Sequence, residues 1–151
     1  MIATICVAAI TITLLSCTHI SSKKPLADNV LLTVRFCDGN QHVLSSTYEF
    51  QDNGKYHYTQ MEDDELQEDY EQSFDVNKEK RVIFFPGMMR DLAIIFDLTK
   101  QTCKIVEGEL ARSYVDGNPG IEDYFDDSQG FKEEIDQVNW DAVKKYFNDG
   151  E

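Results

Sequence analysis

Short turn signals, set between stretches whose apolar residues alternate, constrain the fold of this chain more than any other feature. Residues 30–37 (VLLTVRFC) place Leu32, Val34 and Phe36 on one side. After Asp38-Gly39-Asn40, residues 42–51 do the same with Leu44, Tyr48 and Phe50; after Asp52-Asn53-Gly54, residues 55–61 (KYHYTQM) carry Tyr56 and Tyr58. Alternation of period two marks a half-buried strand, and Asn-Gly suits the positive φ of a tight hairpin. Together they predict an antiparallel meander. Residues 80–85 (KRVIFF) predict a further strand stopped by Pro86-Gly87, and 92–98 and 102–107 flank Thr99-Lys100-Gln101 as another hairpin. Gly and Pro recur over 116–120, which predicts a surface loop to about residue 130. The period then changes. Asn139 reads as a helix N-cap, Trp140, Val143 and Phe147 form one apolar stripe, Asp141 and Lys144-Lys145 complement the two ends, and Gly150 can end the helix. A second short helix is expected over 131–137. The expected fold class is α+β: about six mainly antiparallel strands with a C-terminal helix, residues 30–151 forming one domain, and the meander either an open sheet or partly closed into a barrel.

Charge narrows the functional classes. Against 14 Lys and Arg stand 28 Asp and Glu, a net charge of −14 on 151 residues. Nucleic-acid binders need a basic footprint, and anionic lipid attracts basic segments, so the overall balance argues against both as docking surfaces. With 42% hydrophobic residues, the chain has enough apolar material for a packed core.

Residues 1–16 (MIATICVAAITITLLS) contain no charged side chain. A membrane span needs about 20 apolar residues, so a secretory h-region fits this length better. The run ends in Leu14-Leu15-Ser16-Cys17, which resembles the lipobox of bacterial lipoproteins. The resemblance implies cleavage before Cys17 by type II signal peptidase and acylation of that cysteine, so the membrane partner is reached through the acyl chains. Thr18 stands where inner-membrane lipoproteins often carry Asp, which implies the periplasmic face of the outer membrane. Residues 17–29 then read as the lipidated Cys and a flexible tether, with Lys23 and Lys24 close enough to lipid to add some attraction.

On that reading Cys6 leaves with the signal peptide and Cys17 is acylated, so Cys37 and Cys103 remain as an even pair in an oxidising compartment. A bridge between them would contribute roughly 4 kcal/mol. Strand parity opposes it, since Cys37 alternates with Arg35 and Thr33 while Cys103 alternates with Ile105. A bulge, or Cys37 lying past its strand end, would reconcile the two; the alternative is two unpaired thiols.

Catalytic signatures are absent from the sequence. His19, His42 and His57 lack zinc-ligand spacing, and no nucleophile elbow, P-loop or dinucleotide fingerprint occurs, so a non-enzyme without cofactors is expected. Residues 62–75 (EDDELQEDYEQSFD) instead concentrate Glu62, Asp63, Asp64, Glu65, Glu68, Asp69 and Glu71 around Tyr70. They are expected to form an exposed loop or strand connection that steers a basic protein partner, or simply keeps the surface solvated. Asp116, Asp123, Tyr124, Asp126 and Asp127 make a second acidic group. Counted from Asp116, Gly120 is fifth and Ile121 sixth, which is the wrong register for an EF-hand; an irregular Ca²⁺ site at Asp116, Asn118 and Asp123 is the alternative to no metal. Phe84-Phe85-Pro86-Gly87-Met88-Met89 reads as a buried strand end or an exposed contact patch.

These features favour a non-catalytic protein-binding lipoprotein, similar in general character to periplasmic immunity and lysozyme-inhibitor lipoproteins that neutralise a cationic enzyme or toxin. Tyr48-Glu49-Phe50 and Asn53-Gly54-Lys55-Tyr56 resemble lipocalin-like lipoproteins, which implies a small-ligand carrier as the alternative. A structural or assembly lipoprotein of the envelope is the third reading.

Overall fold

The computed structural model describes residues 23–37, 44–117 and 133–149. The alternating stretches form β1 (Val30–Cys37), β2 (Leu44–Gln51) and β3 (Lys55–Glu62), paired antiparallel in register Val34–Tyr48 and Tyr48–Tyr58. The β2–β3 turn works as its sequence requires. Gly54 has φ 82°, and Asn53 Oδ1 accepts the Lys55 N–H at 3.0 Å. The acidic stretch is not a loop. Its residues form β4 (Glu65–Ser73), a complete strand on the open side of β3.

The chain then changes sheet at the buried Phe74. β5 (Asp75–Asn77), β6 (Val82–Pro86), β7 (Asp91–Asp97) and β8 (Thr102–Glu107) form a second antiparallel sheet in that order. Residues 108–115, which carry no helix signal strong enough to read, are α1 (Gly108–Val115). The helix expected over 131–137 is instead β9 (Glu133–Val138), which pairs with the free side of β1 and completes a sheet of order β4-β3-β2-β1-β9. Local propensity yields there to the open hydrogen-bonding edge of β1. α2 (Trp140–Asn148) follows as expected, with Asn139 Oδ1 accepting the Ala142 N–H at 3.1 Å and Val143 and Phe147 buried.

The result is α+β with two open sheets packed face to face, so the meander does not close into a barrel. Tyr48, Phe50, Tyr56 and Tyr58 of the first sheet meet Ile83, Phe85, Leu92, Ile94 and Phe96 of the second. On the other face of the second sheet, Val82, Ala93 and Val106 pack under Ala111 of α1. Covered on both sides, β6 and β7 are apolar at consecutive positions rather than alternate ones. α2 plugs one end of the sandwich, Phe147 lying 5.2 Å from the Phe96 ring and Tyr146 6.3 Å from that of Phe74. The Phe84–Met89 segment divides: Phe85 and the partly buried Met88 join the core, whereas Met89 is 88% exposed.

Cys103 carries a free thiol, so the bridge to Cys37 is not formed in this structure. Cys103 faces Phe96 across β7–β8, and Phe96 packs against Trp140, just beyond the Val138–Leu32 pair. Cys37 is the last residue of β1, five residues along the strand from Leu32, a run of about 16 Å. Burial pushes the Cys103 thiol up to about 11.

One buried side-chain group lacks a hydrogen-bond partner among the described residues. Thr33, 8% exposed on the outer side of β1, has an Oγ1 with no hydrogen bond. Thr33→Val, which removes that stranded hydroxyl, is expected to raise stability by about 1 kcal/mol in urea unfolding; a loss would show that the hydroxyl is satisfied.

Candidate functional site

The acidic arm is built by the β3–β4 hairpin. Asp63 and Asp64 occupy its two turn positions with φ of 51° and 65°, the left-handed conformation that a two-residue hairpin turn demands and that Asp tolerates better than most side chains. This turn places Glu62 directly opposite Glu65, so four consecutive acids crowd the tip. Like charges facing each other across strands cost stability rather than add it.

Along β4 the side chains divide between two faces. Asp69 and Glu71 point away from the second sheet, where Glu71 pairs with Lys55 at 2.6 Å and Asp69 with His57 Nε2. Glu68, Tyr70 and Gln72 point the other way, alongside Gln60, Tyr58 and Tyr56. Glu62, Asp63, Asp64, Glu65 and Glu68 have no ion-pair partner among the described residues. All nine residues of β4 are exposed, Leu66 to 56% and Tyr70 to 41%. As the last strand of its sheet among the described residues, β4 also presents a row of backbone N–H and C=O groups with no neighbouring strand there.

Tyrosines tie this arm to the core. The Tyr70 ring lies 4.9 Å from Tyr58, which lies 4.9 Å from the fully enclosed Tyr48. Tyr56 donates to Gln72 Oε1 at 3.0 Å, and the Tyr58 hydroxyl lies 2.7 Å from Gln60 Oε1 and 2.9 Å from Ser46 Oγ. Burial, the largest cause, holds Tyr48, Tyr56, Tyr58 and Tyr70 above the ordinary tyrosine value, Tyr56 up to about 12. The fold thus favours the neutral phenol. That stability is whole below pH about 10, where the unfolded chain also holds its protons, and is lost as pH rises through the folded values. Tyrosinate absorbance from Tyr48, Tyr56, Tyr58 and Tyr70 is expected to appear together with loss of far-ultraviolet dichroism; ionisation of all seven tyrosines near pH about 10 without unfolding would contradict it.

Of the second acidic group, the described member Asp116 does not join this arm. Asp116 caps α1, beside Asp75 and Asn77 of β5, while Asp123, Tyr124, Asp126, Asp127 and Cys17 lie outside the described residues. Among the described residues, no set of three or more His, Cys, Asp or Glu side chains could hold a metal ion, and no helix is long and apolar enough to cross a membrane.

A feature not anticipated from sequence is a groove of about 690 Å³ at the α2 end of the second sheet, lined by Lys80, Arg81, Lys100 and Lys104 together with Glu79, Asp97 and Tyr114. Its only forewarning is Lys78-Glu79-Lys80-Arg81, the densest basic run in the chain. Lys100 and Lys104 come from a separate hairpin.

No protein-family model, curated protein or solved structure matches this chain.

Proposed function

We propose that this chain is an envelope-tethered, non-catalytic protein-binding module that docks a cationic protein on its acidic β3–β4 arm, as an inhibitor or immunity protein would. Acyl chains on Cys17 would hold it at the periplasmic face of the outer membrane. The observation that carries the reading is β4: a nine-residue strand, exposed throughout, whose free edge is both open and acidic. An open edge invites pairing with any extended segment. Acids along it repel a second copy of the same edge and admit a basic strand, so the charge selects the partner as well as attracting it.

The test uses the full chain, immobilised and offered envelope proteins of its source. A basic protein should be retained at low salt, released as salt rises, and lost when Glu65, Glu68, Asp69 and Glu71 are neutralised together. Equal retention by the native and neutralised chains would reject the proposal. Cys17→Ser tests the tether separately, since it should move the protein out of the membrane fraction.

A further inference from the structure

The basic groove is assembled by two tight turns. At the start of β6, Asn77 Oδ1 accepts the Lys80 N–H at 2.8 Å and the Arg81 N–H reaches Lys78 O at 3.3 Å. This sets Arg81 in the left-handed region at φ 58°, where its carbonyl accepts the Phe96 N–H at 3.1 Å. A non-glycine residue is strained there, and the surrounding bonds must offset that strain. In the β7–β8 turn, Asp97 Oδ1 accepts the N–H groups of Thr99 and Lys100 at 3.0 and 2.9 Å, with Lys100 Nζ 3.5 Å from its other oxygen. Those contacts, the Lys100 N–H first, hold the Asp97 carboxyl below its usual value. One of the two acids lining the groove is therefore already engaged, while Lys80 and Arg81 have no carboxylate partner among the described residues.

The groove lies at the end of the sandwich where the chain enters the fold. Asn29 O accepts the Asp52 N–H at 2.9 Å, and Asp52 is close enough to Tyr146 to raise its hydroxyl, behind the larger effect of burial. Lys78 donates to Tyr146 O and sits 3.1 Å from the Tyr146 ring centroid, two residues before Lys80. Residues 23–29 lie against the first sheet, Lys23 donating to Asp136 O at 3.0 Å and lying 3.4 Å from its carboxylate, and Cys17 is six residues before Lys23 in sequence. The acidic tip lies at the opposite end. Ser73 pairs with Lys55 beside Phe74 and Tyr146, and Glu65 is eight residues away along β4, about 27 Å. At physiological salt the Debye length is about 8 Å, so a surface touching the groove feels its cations and not the acids of the tip.

We infer that this groove seats the phosphate-bearing headgroups of anionic lipid, so that the domain rests on the leaflet with its acidic arm pointing away. The inference depends on the tether reading, which brings the groove to lipid; the net charge of −14 does not oppose it at the groove itself, whose lining carries four basic side chains against two acidic ones.

The experiment is co-sedimentation of the full chain carrying Cys17→Ser with two kinds of vesicle, pure phosphatidylcholine and an equimolar mixture with phosphatidylglycerol. Each cation near an anionic surface gives roughly a five-fold gain, so two cations in excess of the groove's acids predict roughly a 25-fold preference for the mixed vesicles. K80A/R81A/K100A/K104A should abolish the preference, and R90A, at the acidic end, should leave it intact. No preference in the parent chain, a preference that survives in the quadruple variant, or equal loss in R90A would overturn the assignment. So would soluble glycerol phosphate binding the groove more tightly than the vesicles do. Membrane retention of the K80A/R81A/K100A/K104A variant with Cys17 intact, measured against the same variant carrying Cys17→Ser, reads the tether alone, so the two failures are distinguishable.

Discussion

Phe50→Ala is expected to destabilise the domain by about 3–5 kcal/mol, the cost of truncating a fully enclosed aromatic side chain. Phe50 is completely buried and joins the two sheets: its ring lies 5.0 Å from Phe85 of the second sheet, 5.6 Å from Tyr56 and 5.6 Å from Phe74 at the crossover. Because domains of this size hold only about 5–15 kcal/mol, this one change takes a large share of the total. Urea unfolding should show a lower midpoint with an unchanged slope. A loss under about 1 kcal/mol, like that of an exposed substitution, would mean that the sheets do not pack through this ring.

Neutralising Glu65, Glu68, Asp69 and Glu71 together is expected to slow association with a cationic partner by roughly 10- to 1,000-fold at low salt, with a much smaller effect on dissociation. Stability should change little. The two ion pairs lost, Lys55–Glu71 and His57–Asp69, are exposed and contribute at most about 1 kcal/mol each, and removing the Glu62–Glu65 opposition compensates in part. Stopped-flow association measured against salt separates steering from folding. A native rate that does not depend on salt would show that the arm steers nothing.

The strands that sequence reveals here are those with a buried face and a turn at each end. Tyr48, Phe50, Tyr56 and Tyr58 alternate because one side of their sheet meets the core, and Asn53-Gly54 fixes their register. β4 lacks that signature. With nothing buried, Glu65–Ser73 has no apolar period, and acidic residues have low strand propensity; the ladder to β3 and the Asp63-Asp64 turn hold it extended instead. β9 is misread for the related reason that its partner, β1, lies about a hundred residues earlier. α1 starts at Gly108 with no side-chain cap, and that glycine packs closely: a Cβ there would lie 3.1 Å from that of Asp91. The acidic residues of the arm are legible because they are contiguous in sequence. The basic groove is not, because its cations come from two turns that meet only after the second sheet has formed.

The pairing of β9 with β1 has a consequence for the order of events during synthesis. The first strand of the domain lies between the second and the last, so its sheet stays incomplete until residues 133–138 arrive. That contact closes a loop of about a hundred residues, which makes it slow to form and late on any folding route. A nascent chain that lacks residues 133–138 leaves the β1 edge of the first sheet open. On the proposed export route, where the chain would cross the membrane unfolded, this topology would hold back the completed sheet until the C-terminal segment has emerged on the far side.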